Sequence, residues 1–282
     1  NETVSEKEAL HFYGMDVQRF DNNKEYLFSV IDQTHPELSA EYSEVFAQLT
    51  DENRNSLDEA ALNSAKESVS EFIEKLDAVE TDIVDSLGQP AFDFAKECAK
   101  TIYACCEVQL SDNYNATRDQ YMYEKVEWFL QHGDNTVLFI NGHNGHIGKS
   151  SVAGYTCLGE LLSDNLGNGY YSIGTDAQET QFNSQKGNGE FEVLEVSNSN
   201  DLNNQSSNAD NGQYFIDFAS AISDEVWEQI LSSEQSITTL NVSLSGMQKM
   251  LKSAYTVTIT PQDIFDSMIV FQSVTPSTIL SE

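Results

Sequence analysis

The chain is short of positive charge: 14 lysines and arginines stand against 46 aspartates and glutamates, a formal net charge of −32 over 282 residues. A field of that sign repels polyanions, and no basic, aromatic-bearing patch offsets it, so nucleic acid is not expected as a partner. Net charge speaks to solubility and association and leaves the chemistry open. Long apolar runs are missing as well. None approaches the ~18 consecutive residues that a spanning helix needs, so no membrane span is expected. The opening, Asn1-Glu2-Thr3, is not the charged-then-apolar stretch of an export signal. The compartment stays open between cytoplasmic and exported. Cysteine is scarce: Cys98, Cys105, Cys106 and Cys157 form no C-x-x-C pair, which argues against a zinc site or a disulfide framework. Cys98 and Cys105 fall on an apolar helical face and are expected as core thiols. There is no H-E-x-x-H helix, and no metal or cofactor is expected. No internal repeat occurs.

What is present is enough to bury a core, with 39% apolar residues, 15 Phe and 12 Tyr. His11 to Gln18 reads as a short strand. From Lys24 to Gln131 the period is helical. Leu57, Ala61, Ala65, Val69, Phe72, Ile73, Leu76 and Val79 make one face, and Phe92, Ala95, Cys98, Ala99, Ile102, Cys105 and Val108 another. Asn113 to Gln131 is a third helix, and His35-Pro36 and Gly88-Gln89-Pro90 are turn signals. Then the period changes. Thr136 to Ile140 is a continuous apolar run, expected as a strand covered on both faces. It enters a glycine-rich turn, Asn141 to Gly148. A helix is expected from Ser151 to Leu162, and strands at Tyr170–Gly174, Glu190–Val196, Gln213–Phe218 and Ser267–Val274. Ser223 to Leu231 reads as a helix, and Ser197 to Gly212 as a mobile polar loop. This order implies an α/β fold with a mixed, largely parallel sheet flanked by helices, and a helical subdomain inserted between the first two strands. The expected organisation is 1–23 as the start of the α/β core, 24–131 as a helical insertion or lid, and 132–282 as the rest of the core.

The glycine-rich turn is the densest candidate for chemistry. His143 and His146 lie three apart with Asn144 between them, at the carboxyl end of an expected strand where open sheets bind ligands. Glycines at 142, 145 and 148 let the backbone approach a ligand. An imidazole there can move a proton near neutral pH or donate to an oxyanion. Two rivals claim the same residues. Gly148-Lys149-Ser150 is like the end of a phosphate-binding loop, but Gly142 and Gly148 have one residue too many between them. The two histidines could also share a metal, although no third ligand is evident. Arg118 and Asp119, on the third helix, could orient an imidazole or clamp a carboxylate, or form a surface ion pair. Asp16, at the end of the first expected strand, could line the crevice or cap a turn.

Phe12-Tyr13-Gly14-Met15-Asp16-Val17-Gln18, Arg118-Asp119-x-x-Met122 with Trp128-Phe129-Leu130, and His143-Asn144-Gly145-His146-Ile147 together resemble the signature blocks of the erythromycin esterase family. Tyr170–Gly174, Tyr214–Phe218 and Phe265–Phe271 before Thr275-Pro276 extend the likeness over nearly the whole chain. The resemblance implies a helical subdomain over a deep cleft and metal-independent hydrolysis of a carboxylic ester, with a small-molecule ester or lactone as the partner. Known members open the lactone ring of macrolide antibiotics. It also implies that His143 and His146 line the active site, with Asp16, Arg118, Asp119 and Asn144 binding or positioning substrate. Two departures stand out. The family's water-activating histidine, in a glycine-histidine-glycine block upstream of the Phe-Tyr-Gly segment, has no counterpart here, and Lys125 stands where the family commonly has Asn. General-base catalysis alone is worth ~10²–10⁴ in rate, so these 282 residues by themselves are expected to be nearly inactive. A non-catalytic binding relative of the same fold is the alternative; the oligomeric state is open.

Overall fold

Apolar spacing of three and four residues builds the first part of the chain into helices. The computed structural model describes residues 11–133 and 137–279. Its first elements are α1 (Asp21–Thr34), α2 (Pro36–Gln48), α3 (Glu59–Ala78), α4 (Glu80–Leu87), α5 (Gln89–Leu110) and α6 (Tyr114–His132). They belong to one unit, Asn1–Leu138; a second spans Phe139–Glu282. The α5 face expected from the sequence is buried throughout. Of the expected α3 face, Ala65, Val69, Phe72 and Leu76 are buried, while Leu57, Ala61, Ile73 and Val79 are half-buried and Leu62, not expected there, is buried. α3 buries Leu62, Ala65, Val69, Phe72 and Leu76, and α5 buries Phe92, Ala95, Cys98, Ala99, Ile102, Cys105 and Val108. Phe46 and Phe72 meet edge to face at 5.1 Å, and each such side chain is worth about 1.5–3 kcal/mol of burial. Breaks fall at the turn signals. Pro36 opens α2, and Gly88, at φ 89°, ends α4 and starts α5 in a conformation that a side chain would strain. Asp58 caps α3 by accepting from the Ala61 N–H at 2.8 Å.

One expectation fails in this unit. Residues 11–18 form no strand. The segment is tied to helices instead: Tyr13 packs on Phe129 with ring centroids 4.7 Å apart, and Val17 and Phe20 are buried. A strand is stable only as part of a ladder, and no described strand pairs with this one.

The second unit contains α7 (Asn144–Ile147), α8 (Leu158–Leu166), β1 (Ile173–Gln185), β2 (Phe191–Ser197), α9 (Asp201–Asn204), β3 (Gln213–Asp217), α10 (Phe218–Ala221), α11 (Glu225–Ser232), β4 (Gln235–Thr238), β5 (Thr256–Ile259), α12 (Pro261–Ile264) and β6 (Ser267–Val274). A four-stranded sheet runs β2-β1-β6-β3, and β4 and β5 pair separately. β1 and β6 are parallel, Ile173 opposite Ser267 through Thr180 opposite Val274, while β1–β2 and β3–β6 are antiparallel. The α/β class and the mixed sheet flanked by helices stand. The expectation of a largely parallel sheet gives way, since one pairing of three is parallel. Met268 and Val270 of β6 pack with Phe265, Leu231 and Ile216 in the core.

Three further readings are corrected here. Thr136 lies outside the described residues, and 137–140 is not a strand; Val137 and Phe139 are 80% and 89% exposed. Continuous apolarity marks a buried strand only when neighbours cover it, and no described strand does. The helix expected from Ser151 starts only at Leu158, because Gly154 adopts φ 79°, which ends helical progression. The supposed mobile loop after Ser197 is ordered into α9 and a 3₁₀ turn, Gln205–Asn208.

Close backbone approach fixes α8 against the histidine-bearing turn. A Cβ on Gly159 would lie 2.4 Å from the Gly148 carbonyl oxygen and 2.5 Å from the Ile147 carbonyl carbon. Both are main-chain atoms that cannot swing aside. Gly159→Ala is therefore expected to destabilise the fold by about 1–3 kcal/mol, measured as a lowered urea midpoint with an unchanged slope.

Candidate active site

The turn carrying the histidines is pinned at each step. Asn144 is clamped to one residue of β1: its Nδ2 donates to the Thr175 carbonyl at 2.7 Å, and its Oδ1 accepts from the Thr175 N–H at 3.1 Å. β2 pairs with β1 only from Glu179 onward. The asparagine amide thus takes the place of a strand residue on the edge that β2 leaves open. The Ile147 carbonyl accepts from Tyr170 Oη and from Ser172 Oγ, each at 2.6 Å. The Lys149 N–H donates to the Ile264 carbonyl at 2.7 Å. Lys149 Nζ lies 2.5 Å from Asp266 Oδ1, whose Oδ2 accepts from the Ser172 N–H at 2.8 Å. The lysine that a phosphate-binding loop would need is spent on this carboxylate, so the nucleotide reading loses its main support. Three sequence-distant blocks, around His143, Tyr170 and Phe265, meet here.

His143 is the N-cap of α7 and His146 lies in that turn. The Gly145 N–H donates to His143 Nδ1 at 3.1 Å. In the neutral ring Nδ1 is then the acceptor and the proton resides on Nε2. Nε2 faces Thr239 Oγ1 at 3.4 Å. Although His143 is an exposed residue, partial desolvation of its ring, and then the nearby His146, lower its pKa from the ordinary histidine value. His146 is half-buried.

Thr239 gave no sequence signal; its place comes from a buried polar foundation. Asp176 of β1 is 4% exposed. Its Oδ2 accepts from Asn200 Nδ2 at 2.7 Å and Asn203 Nδ2 at 3.1 Å, and its Oδ1 accepts from the Thr238 N–H at 3.0 Å. Burial pushes the carboxyl pKa up, and the donors from Asn200 and Thr238 oppose that. Asn200 and Asn203 cap each other reciprocally at the start of α9. The segment expected to be a mobile loop forms α9 and, through Asp176, supports the end of β4.

In the helical unit, Arg118 grips Asp16 through both arms, Nε to Oδ1 at 2.9 Å and NH2 to Oδ2 at 2.8 Å. This bidentate geometry links the Phe-Tyr-Gly block to the Arg-Asp block. Asp119 is fully buried in α6. Lys125 is also buried; its Nζ lies 2.8 Å from Glu97 Oε1 and donates to Thr101 Oγ1. The pair forms one wall of a cavity of about 510 Å³ that Tyr103, Tyr121 and Trp128 also line. The structure thus brings Asp16 and Arg118 together in one unit, and His143, Asn144 and His146 in the other. Among the described residues, no three His, Cys, Asp or Glu side chains converge as metal ligands, and no helix is long and apolar enough to cross a membrane.

A family model described as erythromycin esterase matches residues 1–274. No protein with a curated description matches. The fold is similar to that of a Bacillus cereus protein of known structure, with a TM-score of 0.79 at 23% identity, over 100% of this chain and 70% of that one. It is also similar to a succinoglycan biosynthesis protein, with a TM-score of 0.77 at 16% identity over 98% and 67% of the two chains. A histidine-to-asparagine mutant of the erythromycin esterase EreC, in its open conformation, aligns with a TM-score of 0.60 at 14% identity, over 92% and 68%. At such identities these three establish the fold alone.

Proposed function

Because the chain belongs to the erythromycin esterase family, by a match over residues 1–274, we propose that it hydrolyses carboxylic esters or macrolactones by metal-independent attack of water. Family membership supports hydrolase chemistry in general. The observation that carries the finer reading is the His143 ring, whose Nδ1 accepts from the Gly145 N–H, one helical turn from His146 on a glycine-rich turn pinned to the sheet. His146, with His143 beside it, holds the attacking water or donates to the oxygen on which charge develops. Asn144 acts as a positioning residue, since both ends of its amide are engaged by Thr175. Arg118 and Asp16 act as a pair, each ordering the other, and with Asp119 they bind or position the substrate.

The test is an assay of the full gene product against aryl esters and a macrolactone across pH. Protonating His143 puts a proton on Nδ1 and expels the Gly145 N–H, so turnover should fall as pH drops through a value below 6.5. No hydrolysis above the buffer rate, with or without ligand binding, would overturn the reading. So would a rate that stays flat through that range.

A further inference from the structure

We propose that the hydroxyl of Thr239 is a donor to the developing oxyanion, and that His143 acts by holding it. The inference rests on the hydrolase reading above and assigns a residue to it that no sequence motif marks.

The neutral ring of His143 has one proton to give. Its Nδ1 is occupied by the Gly145 N–H at 3.1 Å, so the Nε2 proton is the one directed at Thr239 Oγ1, 3.4 Å away. A hydroxyl oxygen that accepts from an N–H keeps its own proton, and accepting one bond strengthens the bond it donates. The chain of donors therefore runs from Gly145 through His143 to Thr239 and ends on an O–H with no acceptor among the described residues. A substrate carbonyl oxygen is what that proton can serve.

An oxyanion donor works by being fixed before the reaction starts, and Thr239 is fixed from three sides. Its own N–H donates to the Tyr255 carbonyl at 2.9 Å. The preceding residue is tied to β1, with the Thr238 N–H on Asp176 Oδ1 at 3.0 Å and Thr238 Oγ1 on the Ala177 carbonyl at 3.4 Å. Asp176 in turn is held by Asn200 and Asn203. Adjacent residues of an extended chain point to opposite faces. Thr238 spends its hydroxyl inward on the sheet, which leaves that of Thr239 facing His143.

In the reaction, water adds to the carbonyl carbon and the C=O π pair moves onto oxygen, where the Thr239 O–H donates without giving up its proton. A general base takes the proton that the water releases on addition; on collapse the bond to the alcohol breaks, and that base returns the proton to the leaving alkoxide. Thr239 ends unchanged.

Thr239→Val keeps the shape and removes the hydroxyl; Thr239→Ser keeps the hydroxyl. Both would be compared with wild type in the full gene product, with folding checked by circular dichroism. Removing an oxyanion donor should lower kcat on the order of 10²-fold with KM within about twofold, and the serine variant should recover most of the rate. In ¹⁵N NMR the His143 Nε2–H signal should shift in the valine variant and stay near its wild-type position in the serine one. An active wild type with an equally active valine variant overturns the Thr239 assignment alone, as does a serine variant as slow as valine or an unmoved His143 signal. An inactive wild type overturns the hydrolase reading, and the donor role with it.

Discussion

Glu97→Ala is expected to cost the helical unit about 3–5 kcal/mol, the penalty of leaving a buried charge unpaired. Glu97 and Lys125 have side chains only 10% and 8% exposed. With the carboxylate gone, the ammonium keeps a hydroxyl partner in Thr101 and the Glu97 carbonyl at 3.5 Å, but no counter-charge within the pair. The companion experiment separates a lost bridge from a lost charge. Replacing both residues by apolar ones of similar volume, Glu97→Leu with Lys125→Met, should be neutral or stabilising by ~1–4 kcal/mol, since neither ion then has to be desolvated. Urea unfolding of the two variants measures the contrast. A single variant within 1 kcal/mol of wild type, on the scale of an exposed ion pair, would mean that the site admits water. The same pair explains how a lysine at 125 is tolerated in this core: a carboxylate 28 residues earlier faces it.

His146→Ala should lower turnover on the order of 10²–10³-fold while leaving the fold intact, because the side chain is half-buried and the turn is held by Asn144, Tyr170, Ser172 and Lys149. Steady-state kinetics on an aryl ester, with a thermal melt as control, decides it. A matched loss in kcat and kcat/KM marks an interaction made in the transition state, whereas a rise in KM alone marks simple binding. An unchanged rate would remove His146 from the chemistry.

Much of this architecture was legible in the sequence, for physical reasons that also explain the misses. The α3 and α5 faces could be read because a helix brings residues three and four apart onto one side, and that side is buried here. β6 could be read to the residue. Val137–Ile140 could not, because apolar content says that a segment wants cover and not whether cover exists. β4 and β5 are four residues each, too short to show a period. The asparagines after Ser197 look like any polar loop, since nothing in their spacing reveals that Asp176, more than 20 residues earlier, would be their partner. At the site, the histidine turn announced itself by residue type. Thr239 did not, because a lone threonine at a strand end is ordinary and only its 3.4 Å contact sets it apart.

The asparagine foundation under Asp176 also makes the end of β4 sensitive to the loss of a single amide. Asparagine side chains hydrolyse slowly to carboxylates, which is one reason that heat-adapted proteins carry fewer of them. At Asn200, whose Nδ2 lies 2.7 Å from Asp176 Oδ2, deamidation would replace a donor by a second negative charge and set two carboxylates against each other in a dry setting. Loss of that donor would loosen the end of β4, where the Thr238 N–H shares the same carboxylate.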